Sequence, residues 1–308
     1  MNKDIKKLTI SIVIVAASFF LVDFVVGRVC DNLWFKIPYT QSEGARANYY
    51  IYNTDADVVV IGASRATHHY VPEVLSDSLN MSVVVTGRDG HDFIYNSCIL
   101  HCILERYTPR LVIFDLGEGW ISGTCMNRIG SLNPYYNTDA YIKDAIHEAG
   151  DWSTKAMMHS NMYRYNGKIL RMLNGYMSAP EIHDGYIPIA NEPNLKTTHA
   201  ELKRKDVIEQ ANAVELKHLK DIFEWSKQYG FDLIVFDSPR YLLNSENYKT
   251  IMPLCEEYGI PCFDYSNDSL FMQHPEWFKD ESHLNDAGAH VYTSIISKQI
   301  INIFQYGY

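Results

Sequence analysis

Positive charge is scarce in this chain of 308 residues. It holds 27 Lys and Arg against 37 Asp and Glu, which gives a formal net charge of −10 with histidine neutral. Lys3, Lys6 and Lys7 precede a long apolar segment at the N-terminus, and no basic stripe appears outside the N-terminus. Because proteins that bind nucleic acids present a stripe of Lys and Arg to the phosphates, we expect no nucleic-acid partner.

The chain also lacks the glycines of a nucleotide-binding turn. Val58–Ile61 is a run of four apolar residues, three of them valines, and it predicts a buried parallel strand. The strand is followed by Gly62-Ala63-Ser64, and a dinucleotide-binding turn needs glycines where this sequence has Ser64 and Thr67. We therefore expect no nucleotide cofactor, and the chemistry predicted below requires none.

Cysteine is limited to six residues, and their spacing does not predict a metal site. Cys98 and Cys102 lie four apart and share one face of a predicted helix, with His101 between them. No fourth ligand follows at a useful spacing, so buried thiols are expected and no metal is predicted. Cys255 and Cys262 flank a tight turn that a disulfide could bridge, which geometry decides.

Ser64 stands where the first predicted strand turns into a helical segment that has Pro72 near its start. In open parallel sheets, ligands bind outside the carboxyl ends of the strands. The small neighbours Gly62 and Ala63 would let a substrate approach the Ser64 hydroxyl. Serine is also a favoured helix N-cap, so a structural role is the alternative interpretation of this stretch alone.

A second candidate stretch lies near the C-terminus, where Asp280 precedes His283 by three residues. An Asp and a His on one turn allow the carboxylate to hold the tautomer and orientation of the imidazole. The other ring nitrogen can then take a proton from a serine. An isolated Asp-x-x-His is common on surface turns, so this pair gains meaning only if it lies beside Ser64.

The stretches together resemble the SGNH (GDSL-like) hydrolase family. Gly62-Ala63-Ser64 resembles its first block, and Asp280-Glu281-Ser282-His283-Leu284-Asn285 resembles its last block. Gly87-Arg88-Asp89-Gly90 is similar to the glycine block after the second strand. The run GASRATHHY, residues 62–70, resembles in particular a branch of membrane-anchored SGNH proteins common in gut bacteria.

The resemblance covers about residues 56–108 and 231–301 and leaves the middle of the chain unmatched. It implies an α/β fold, a three-layer α/β/α sandwich around a parallel, flavodoxin-like sheet. It also implies that Ser64 is the nucleophile, that His283 is the base, and that Asp280 orients the base. The backbone N–H groups of Ser64 and Gly87 would be the two donors of an oxyanion hole.

Strands and helices alternate in the predicted pattern, which favours a parallel sheet with right-handed crossovers. The predicted strands are Val58–Ile61, Met81–Val85, Leu111–Phe114, Phe231–Phe236 and Pro261–Tyr265. The predicted helices are Val71–Leu79, Phe93–Tyr107, Asp139–Glu148, Asn161–Leu173, Glu201–Tyr229 and Asn247–Tyr258.

The sequence departs from the family pattern at two positions. Val85 stands where the family often has Asn, and the strand end that normally supplies an oxyanion Asn reads Phe114-Asp115-Leu116-Gly117-Glu118-Gly119. A carboxylate cannot donate a hydrogen bond unless it is protonated, which leaves the third oxyanion donor open.

Four polar residues near predicted strand ends are candidate substrate contacts, or equally packing residues: Arg65, His68, His69 and Arg240.

The segment Leu8–Val26 is nearly all apolar and long enough to cross a bilayer. The lysines that precede it keep the N-terminus cytoplasmic, so everything after about Val29 is expected outside the inner membrane. Asp23 lies near the outer end, where it can reach the headgroups. A cleaved signal peptide is the alternative. Because no small-x-small site precedes a polar start, we favour an uncleaved single-pass anchor with a periplasmic domain.

The expected organisation has three parts. Residues 1–29 form a cytoplasmic tail and anchor, 30–55 a membrane-proximal stalk, and 56–308 the SGNH-like domain with an insertion at about 118–200. Such a long unmatched segment is usually functional when it is ordered. The insertion either packs over the mouth of the site and shapes the acceptor site, or it is a structural elaboration.

These features predict an extracytoplasmic serine esterase that acts on acyl esters, in particular acetyl esters, of glycans or cell-envelope polymers. Transfer of the acyl group to a sugar hydroxyl uses the same chemistry, so an O-acyltransferase or an accessory to a membrane acyltransferase is also possible. From another class, a non-catalytic glycan-binding protein on an SGNH scaffold is the alternative that the missing Asn favours.

Overall fold

The computed structural model describes residues 3–39, 42–91, 93–116, 129–178, 184–190, 212–241 and 247–307. The chain divides into two compact units, one made of Met1–Asn48 with Gly130–Glu181 and the other of Tyr49–Ile129 with Ile182–Tyr308. The domain limits expected from the sequence stay predictions.

The α-helices of the described residues, in chain order, are α1 (Lys3–Trp34), α2 (Glu43–Tyr52), α3 (Ser64–His69), α4 (Pro72–Leu79), α5 (Phe93–Leu104), α6 (Ala140–Ala149), α7 (Trp152–Met157), α8 (Asn161–Arg164), α9 (Ile169–Met177), α10 (Ala213–Tyr229), α11 (Asn247–Tyr258), α12 (Ser269–Met272) and α13 (Asp286–Tyr306). Short 3₁₀ helices lie at Gly130–Tyr135 and Pro275–Trp277.

The larger unit is built on a five-stranded sheet in the order β2-β1-β3-β4-β5. Its strands are β1 (Val58–Ile61), β2 (Val83–Val85), β3 (Leu111–Asp115), β4 (Asp232–Asp237) and β5 (Cys262–Asp264). Every neighbouring pair is parallel, and the order is that of flavodoxin-like sheets. The predicted α/β fold is confirmed, and each predicted strand is present, β1 with the predicted ends and the others with ends shifted by at most two residues.

Helices cover both faces of this sheet. The chain runs from β1 outward to β2 and then crosses back to β3, so right-handed crossovers place α4 and α5 on opposite faces. Accordingly, α4 packs with α13, and α5 packs with α10. Tyr292, Ile296 and Ile300 of α13 belong to the same buried cluster as Val58 and Val60 of β1, so the C-terminal helix packs onto this part of the sheet.

Two helix predictions need correction or restriction. The single helix predicted at Asn161–Leu173 is wrong, because α8 and α9 are separate helices. Gly167, which lies between them, has φ +71°, a left-handed conformation that glycine adopts readily and that interrupts an α-helix. In the predicted helix Glu201–Tyr229, the described part is α10, and residues 201–211 lie outside the described residues.

The smaller unit is organised around the last third of α1. The buried residues of α1 are Asp23, Gly27, Cys30 and Trp34, whose spacing of four, three and four places them on one face. The ring of Trp34 packs edge-on against Tyr135 and Tyr165, with centroids 6.3 and 6.2 Å away. Within the described residues, α1 alone is long and apolar enough to cross a membrane, as a candidate span or signal sequence.

Candidate active site

Three side chains from the two ends of the chain form one line of hydrogen bonds. Ser64 Oγ lies 2.8 Å from His283 Nε2, across 219 positions of sequence. His283 Nδ1 lies 2.9 and 3.1 Å from the two carboxylate oxygens of Asp280. Because a carboxylate can only accept, Nδ1 carries the proton, and Nε2 is the acceptor for the Ser64 hydroxyl. The structure thus brings together all three residues predicted to react.

The turn before Ser64 depends on Gly62. Its φ is +149°, and a Cβ built there would lie 2.8 Å from Ala66 Cβ and 2.9 Å from the Asp115 carbonyl oxygen. A side chain is therefore excluded by both conformation and space. Gly62 N–H donates to the buried Asn96 Oδ1 at 2.8 Å. This turn ends β1 abruptly and makes Ser64 the first residue of α3.

Ser64 does not cap the helix that it begins. The N-cap position of α3 is Ala63, and α3 has no side-chain cap. The Ser64 hydroxyl bonds to His283 instead. As the first helical residue, Ser64 has a backbone N–H without an intrahelical acceptor. This geometry removes the interpretation of Ser64 as a helix cap. Ser64 therefore carries both a hydroxyl bonded to His283 and a backbone N–H that its own helix does not use.

Gly87 lies against the first turn of the same helix. A Cβ at this position would approach Ala66 Cβ to 2.7 Å and the Ala63 carbonyl oxygen to 2.9 Å. The next residue, Arg88, donates its N–H to the Gly62 carbonyl at 3.2 Å. The glycine block is thereby fixed to the turn that carries Ser64. The assignment of the Ser64 and Gly87 N–H groups to an oxyanion hole stays a prediction.

The loop of Asp280 is held by its own carboxylate. Asp280 Oδ1 accepts the backbone N–H groups of Ser282 and His283, each at 2.9 Å. Burial raises the pKa of the Asp280 carboxyl, but the hydrogen bonds from His283 and from these N–H groups outweigh burial, so the pKa lies below its usual value. The carboxylate is therefore ionised at neutral pH and faces the protonated Nδ1 of His283.

The two candidate arginines are buried at the strand ends. Arg65 donates to Asp237 Oδ1 at 2.9 Å and to the Ser238 carbonyl at 2.7 Å, and it lies 3.5 Å from Asp115. Arg240 lies 3.3 Å from Asp237. Only 3% of either side chain is exposed. These ion pairs tie α3 to β3 and β4, and the predicted contact of both arginines with substrate stays a prediction.

Asp115 occupies the strand end where the resemblance noted in the sequence would place an oxyanion donor. It is fully buried, accepts the Tyr70 hydroxyl at 2.7 Å, and lies 3.5 Å from Arg65. Burial raises the pKa of the Asp115 carboxyl, against the opposing effect of Arg65. The positions that follow, Gly117–Gly119, lie outside the described residues.

His69 is a second buried imidazole beside His283. The backbone N–H of Leu284 donates to His69 Nε2 at 2.9 Å, so that nitrogen is unprotonated. The proton is therefore on Nδ1, which donates to Ser238 Oγ at 2.9 Å. Burial, followed by the charge of Arg65, lowers the pKa of His69 well below its usual value. Neutral His69 thus holds the residue next to His283.

His68 lies at the rim of the same group. Its Nδ1 is 2.6 Å from the Ile187 carbonyl oxygen, and its Nε2 is 3.5 Å from the exposed carboxylate of Asp89. The rings of His68 and His69 pack edge-on against the His283 ring, with centroids 5.7 and 6.3 Å away. Both histidines predicted to contact substrate therefore surround the candidate base, and their contact with substrate stays a prediction.

Sequence reasoning missed a strap, residues 184–190, that links the two halves of the site. Its carbonyls accept the N–H groups of Val85 at 2.6 Å and Asp286 at 2.9 Å, and Ile187 N–H donates to the Thr67 carbonyl at 3.0 Å. The strap therefore joins β2, α3 and the start of α13. The one local signal was Gly185, which has φ +88° and packs against the Val85 backbone.

The cysteines within the described residues form no disulfide bond. Five cysteines, Cys30, Cys98, Cys102, Cys255 and Cys262, are buried and free. This confirms the expectation of buried thiols on α5. The possible bridge between Cys255 and Cys262 is not formed.

Comparisons with known proteins add little to this geometry. No protein-family model matches the chain, and no curated protein matches it. Among solved structures, a crystal structure from Bacteroides fragilis NCTC 9343, described as a "putative acylhydrolase", shares 13% sequence identity and covers 80% of this chain and 86% of its own, with a TM-score of 0.33. The functional argument therefore rests on the site itself.

Proposed function

We propose that this protein is an SGNH-type serine esterase that hydrolyses acyl esters outside the cytoplasm. The observation that carries the proposal is the continuous hydrogen-bonded line from Asp280 through His283 to Ser64, with a contact of 2.8 Å at the serine. The line lies at the carboxyl end of the inner strand β1, and α/β sheets bind ligands at the carboxyl ends of their strands. A nucleophile, a base and an orienting carboxylate in this order define a catalytic triad.

The geometry supports a two-step acyl transfer. Ser64 Oγ attacks the ester carbonyl carbon while His283 Nε2 takes the hydroxyl proton, and the Asp280 carboxylate stabilises the imidazolium that forms. His283 then returns this proton to the leaving alcohol, which departs and leaves an acyl-serine. Water attacks the acyl-serine with His283 again as the base. The carboxylic acid leaves, and the Ser64 hydroxyl is restored.

The negative charge that develops on the carbonyl oxygen needs fixed donors. The N–H of Ser64 lies at the start of α3, and the segment of Gly87 packs against that same turn. We assign the oxyanion hole to these two N–H groups. Each such donor is worth roughly 10²–10³ in rate, so on this assignment the close packing of Gly62 and Gly87 would support catalysis by holding the two N–H groups in place.

The substrate class follows from location and chemistry. If α1 spans the inner membrane with its lysines inside, the site faces the periplasm, where acyl esters are carried by glycans and envelope polymers. We therefore propose acyl esters of such polymers, in particular acetyl esters, as substrates. Water as the acceptor gives an esterase, and a sugar hydroxyl in its place gives an O-acyltransferase.

The proposal is tested with the full chain in detergent, using hydrolysis of p-nitrophenyl acetate and labelling by a fluorophosphonate. Ser64→Ala should lower hydrolysis by at least a thousandfold and abolish labelling, because it removes the nucleophile. Ser78→Ala is the matched control, since this serine is exposed on α4, and it should leave both signals unchanged.

Equal hydrolysis by the wild type and Ser64→Ala would remove the enzyme assignment. Folded wild-type protein that takes no fluorophosphonate label would favour the non-catalytic glycan-binding alternative. Adding an oligosaccharide acceptor during turnover and measuring acetylated sugar separates transfer from hydrolysis.

A further inference from the structure

A carboxylate lies where the anchor helix changes its surroundings. Every side chain of α1 from Lys3 to Val22 is exposed, and most are apolar. From Asp23 onward, one face of the helix is buried within the smaller unit. Asp23 therefore stands at the boundary between the exposed part of α1 and the part whose one face is buried by protein.

The Asp23 carboxylate is fully engaged by the insertion. Its Oδ1 accepts the Ser160 hydroxyl at 2.6 Å and the Met162 N–H at 2.9 Å. Its Oδ2 accepts the backbone N–H and the side-chain amide of Asn161, each at 2.9 Å. Four donors satisfy the carboxylate, and three of them come from the start of α8. Gly27, one turn further along, packs closely against Asn161.

The depth of this contact follows from helix geometry. Twenty residues at about 1.5 Å each cross a hydrocarbon core of about 30 Å. Counted from Lys7, the last lysine of the N-terminal cluster, the outer boundary falls near Gly27, just before the exposed Arg28. Asp23 lies about one helical turn inside this boundary, and the residues bonded to it share its depth.

Two methionines near the Asp23 contact are exposed, together with the polar His159 between them. Met162, whose N–H bonds to Asp23, and Met157, at the end of α7, have side chains that are 43% and 42% exposed. At the other end of α7, Trp152 is 81% exposed, and tryptophan is enriched where bilayers meet water. We propose that this tip, Met157–Met162, is embedded in the outer boundary of the phospholipid bilayer, with Asp23 as its docking point on the anchor. The proposal rests on α1 crossing the membrane and is independent of the chemistry at Ser64.

The test measures depth with two matched methionine positions in the full chain, reconstituted into phosphatidylcholine–phosphatidylglycerol vesicles. Met162→Cys places an environment-sensitive fluorophore at the tip. Met177→Cys is the control: it is exposed, and its neighbour Tyr176 bonds to the Leu33 carbonyl, about 15 Å further along α1. Wild-type protein treated with the same dye gives the background from native thiols.

A phospholipid carrying a nitroxide near its glycerol backbone should quench the label at position 162 at least twice as strongly as at position 177. Equal quenching at the two positions would overturn the proposal. Protection of position 162 from both the nitroxide lipid and aqueous iodide would also overturn it, because a protein partner would then cover the tip.

The docking role of Asp23 is tested in the Met162→Cys background. Asp23→Ala removes the acceptor for all four donors and should reduce quenching to the level of position 177. Asp23→Asn keeps one acceptor oxygen and should retain more than half of the quenching, which guards against a general loss of folding. Unchanged quenching in Asp23→Ala would show that Asp23 does not hold the tip.

Discussion

His69 offers a test of how the candidate base is positioned. Its two ring nitrogens bond in opposite directions, Nε2 to the N–H of Leu284 and Nδ1 to Ser238 Oγ, each at 2.9 Å. Leu284 follows His283 directly, so the first bond fixes the backbone beside the base. We expect His69 to act as a positioning residue, through His283, with no contact to substrate.

Two amide substitutions separate these bonds. The side chain of Gln is long enough to place an acceptor near the Nε2 position, so His69→Gln keeps a partner for Leu284. The shorter Asn reaches only the Nδ1 position, so His69→Asn keeps the bond to Ser238 and leaves the buried Leu284 N–H without an acceptor. An unsatisfied buried donor costs about 1–3 kcal/mol of the free energy of unfolding.

The catalytic consequence should be larger in the Asn variant. If the loop shifts by about 1 Å to reach another acceptor, the Ser64–His283 contact lengthens, and a displacement of this size can lower a rate by about a hundredfold. We therefore expect kcat for p-nitrophenyl acetate to fall 10- to 100-fold in His69→Asn, with little change in KM. His69→Gln should stay within about threefold of the wild type.

Steady-state kinetics and urea unfolding on the three proteins decide the matter. Equal kcat values in the Asn and Gln variants would refute the positioning role, because the bond to Leu284 would then have no effect on the base. A rise in KM with kcat unchanged would instead mark His69 as the substrate contact that the sequence suggested.

Two further predictions concern the glycine block and acid stability. Gly87→Ala should lower kcat at least tenfold, because the added Cβ would lie 2.7 Å from Ala66 Cβ and displace the turn of Ser64. Gly130→Ala is the control, since a Cβ there has its nearest neighbour 3.8 Å away, and it should leave kinetics unchanged. Native His69 stays neutral while the unfolded chain takes up a proton near pH 6.5, so the unfolded state binds more protons and stability falls as the pH drops. Between pH 7 and 5 this loss should reach up to about 2 kcal/mol in urea unfolding, and an equal loss in His69→Gln would contradict it.

Local patterns explain what the sequence could predict. The valine run of β1 and the alternation of strands with helices depend on neighbouring residues, and both led to the observed parallel sheet. The candidate triad could be predicted for a different reason: Gly62-Ala63-Ser64 and Asp280-x-x-His283 each specify a turn geometry within a few residues. Two locally specified turns at the carboxyl end of one sheet then meet.

Long-range contacts explain what the sequence could not predict. In the sequence, His68 and His69 are adjacent and were given the same possible role as substrate contacts. The hydrogen-bond partners of His69, Ser238 and Leu284, lie 169 and 215 positions away and could not be predicted. The strap 184–190 is not a regular helix or strand, and most of its hydrogen bonds to the site are made by its backbone, which carries no sequence signal. The break between α8 and α9 was missed since Gly167 lies inside an otherwise amphipathic pattern.

Long-range contacts also explain why Asp115 stands at the strand end where the SGNH pattern has an Asn. Its carboxyl accepts the Tyr70 hydroxyl and faces Arg65, so it is committed to the buried network that joins β3 to α3. Such a carboxyl can donate to an oxyanion only when it is protonated. Of the described residues, the backbone N–H groups of Ser64 and Gly87 are then the candidates for that task, and both are fixed by glycine packing. On the proposed mechanism, more of the transition-state stabilisation would then rest on the backbone, which is why the Gly87 substitution should cost activity.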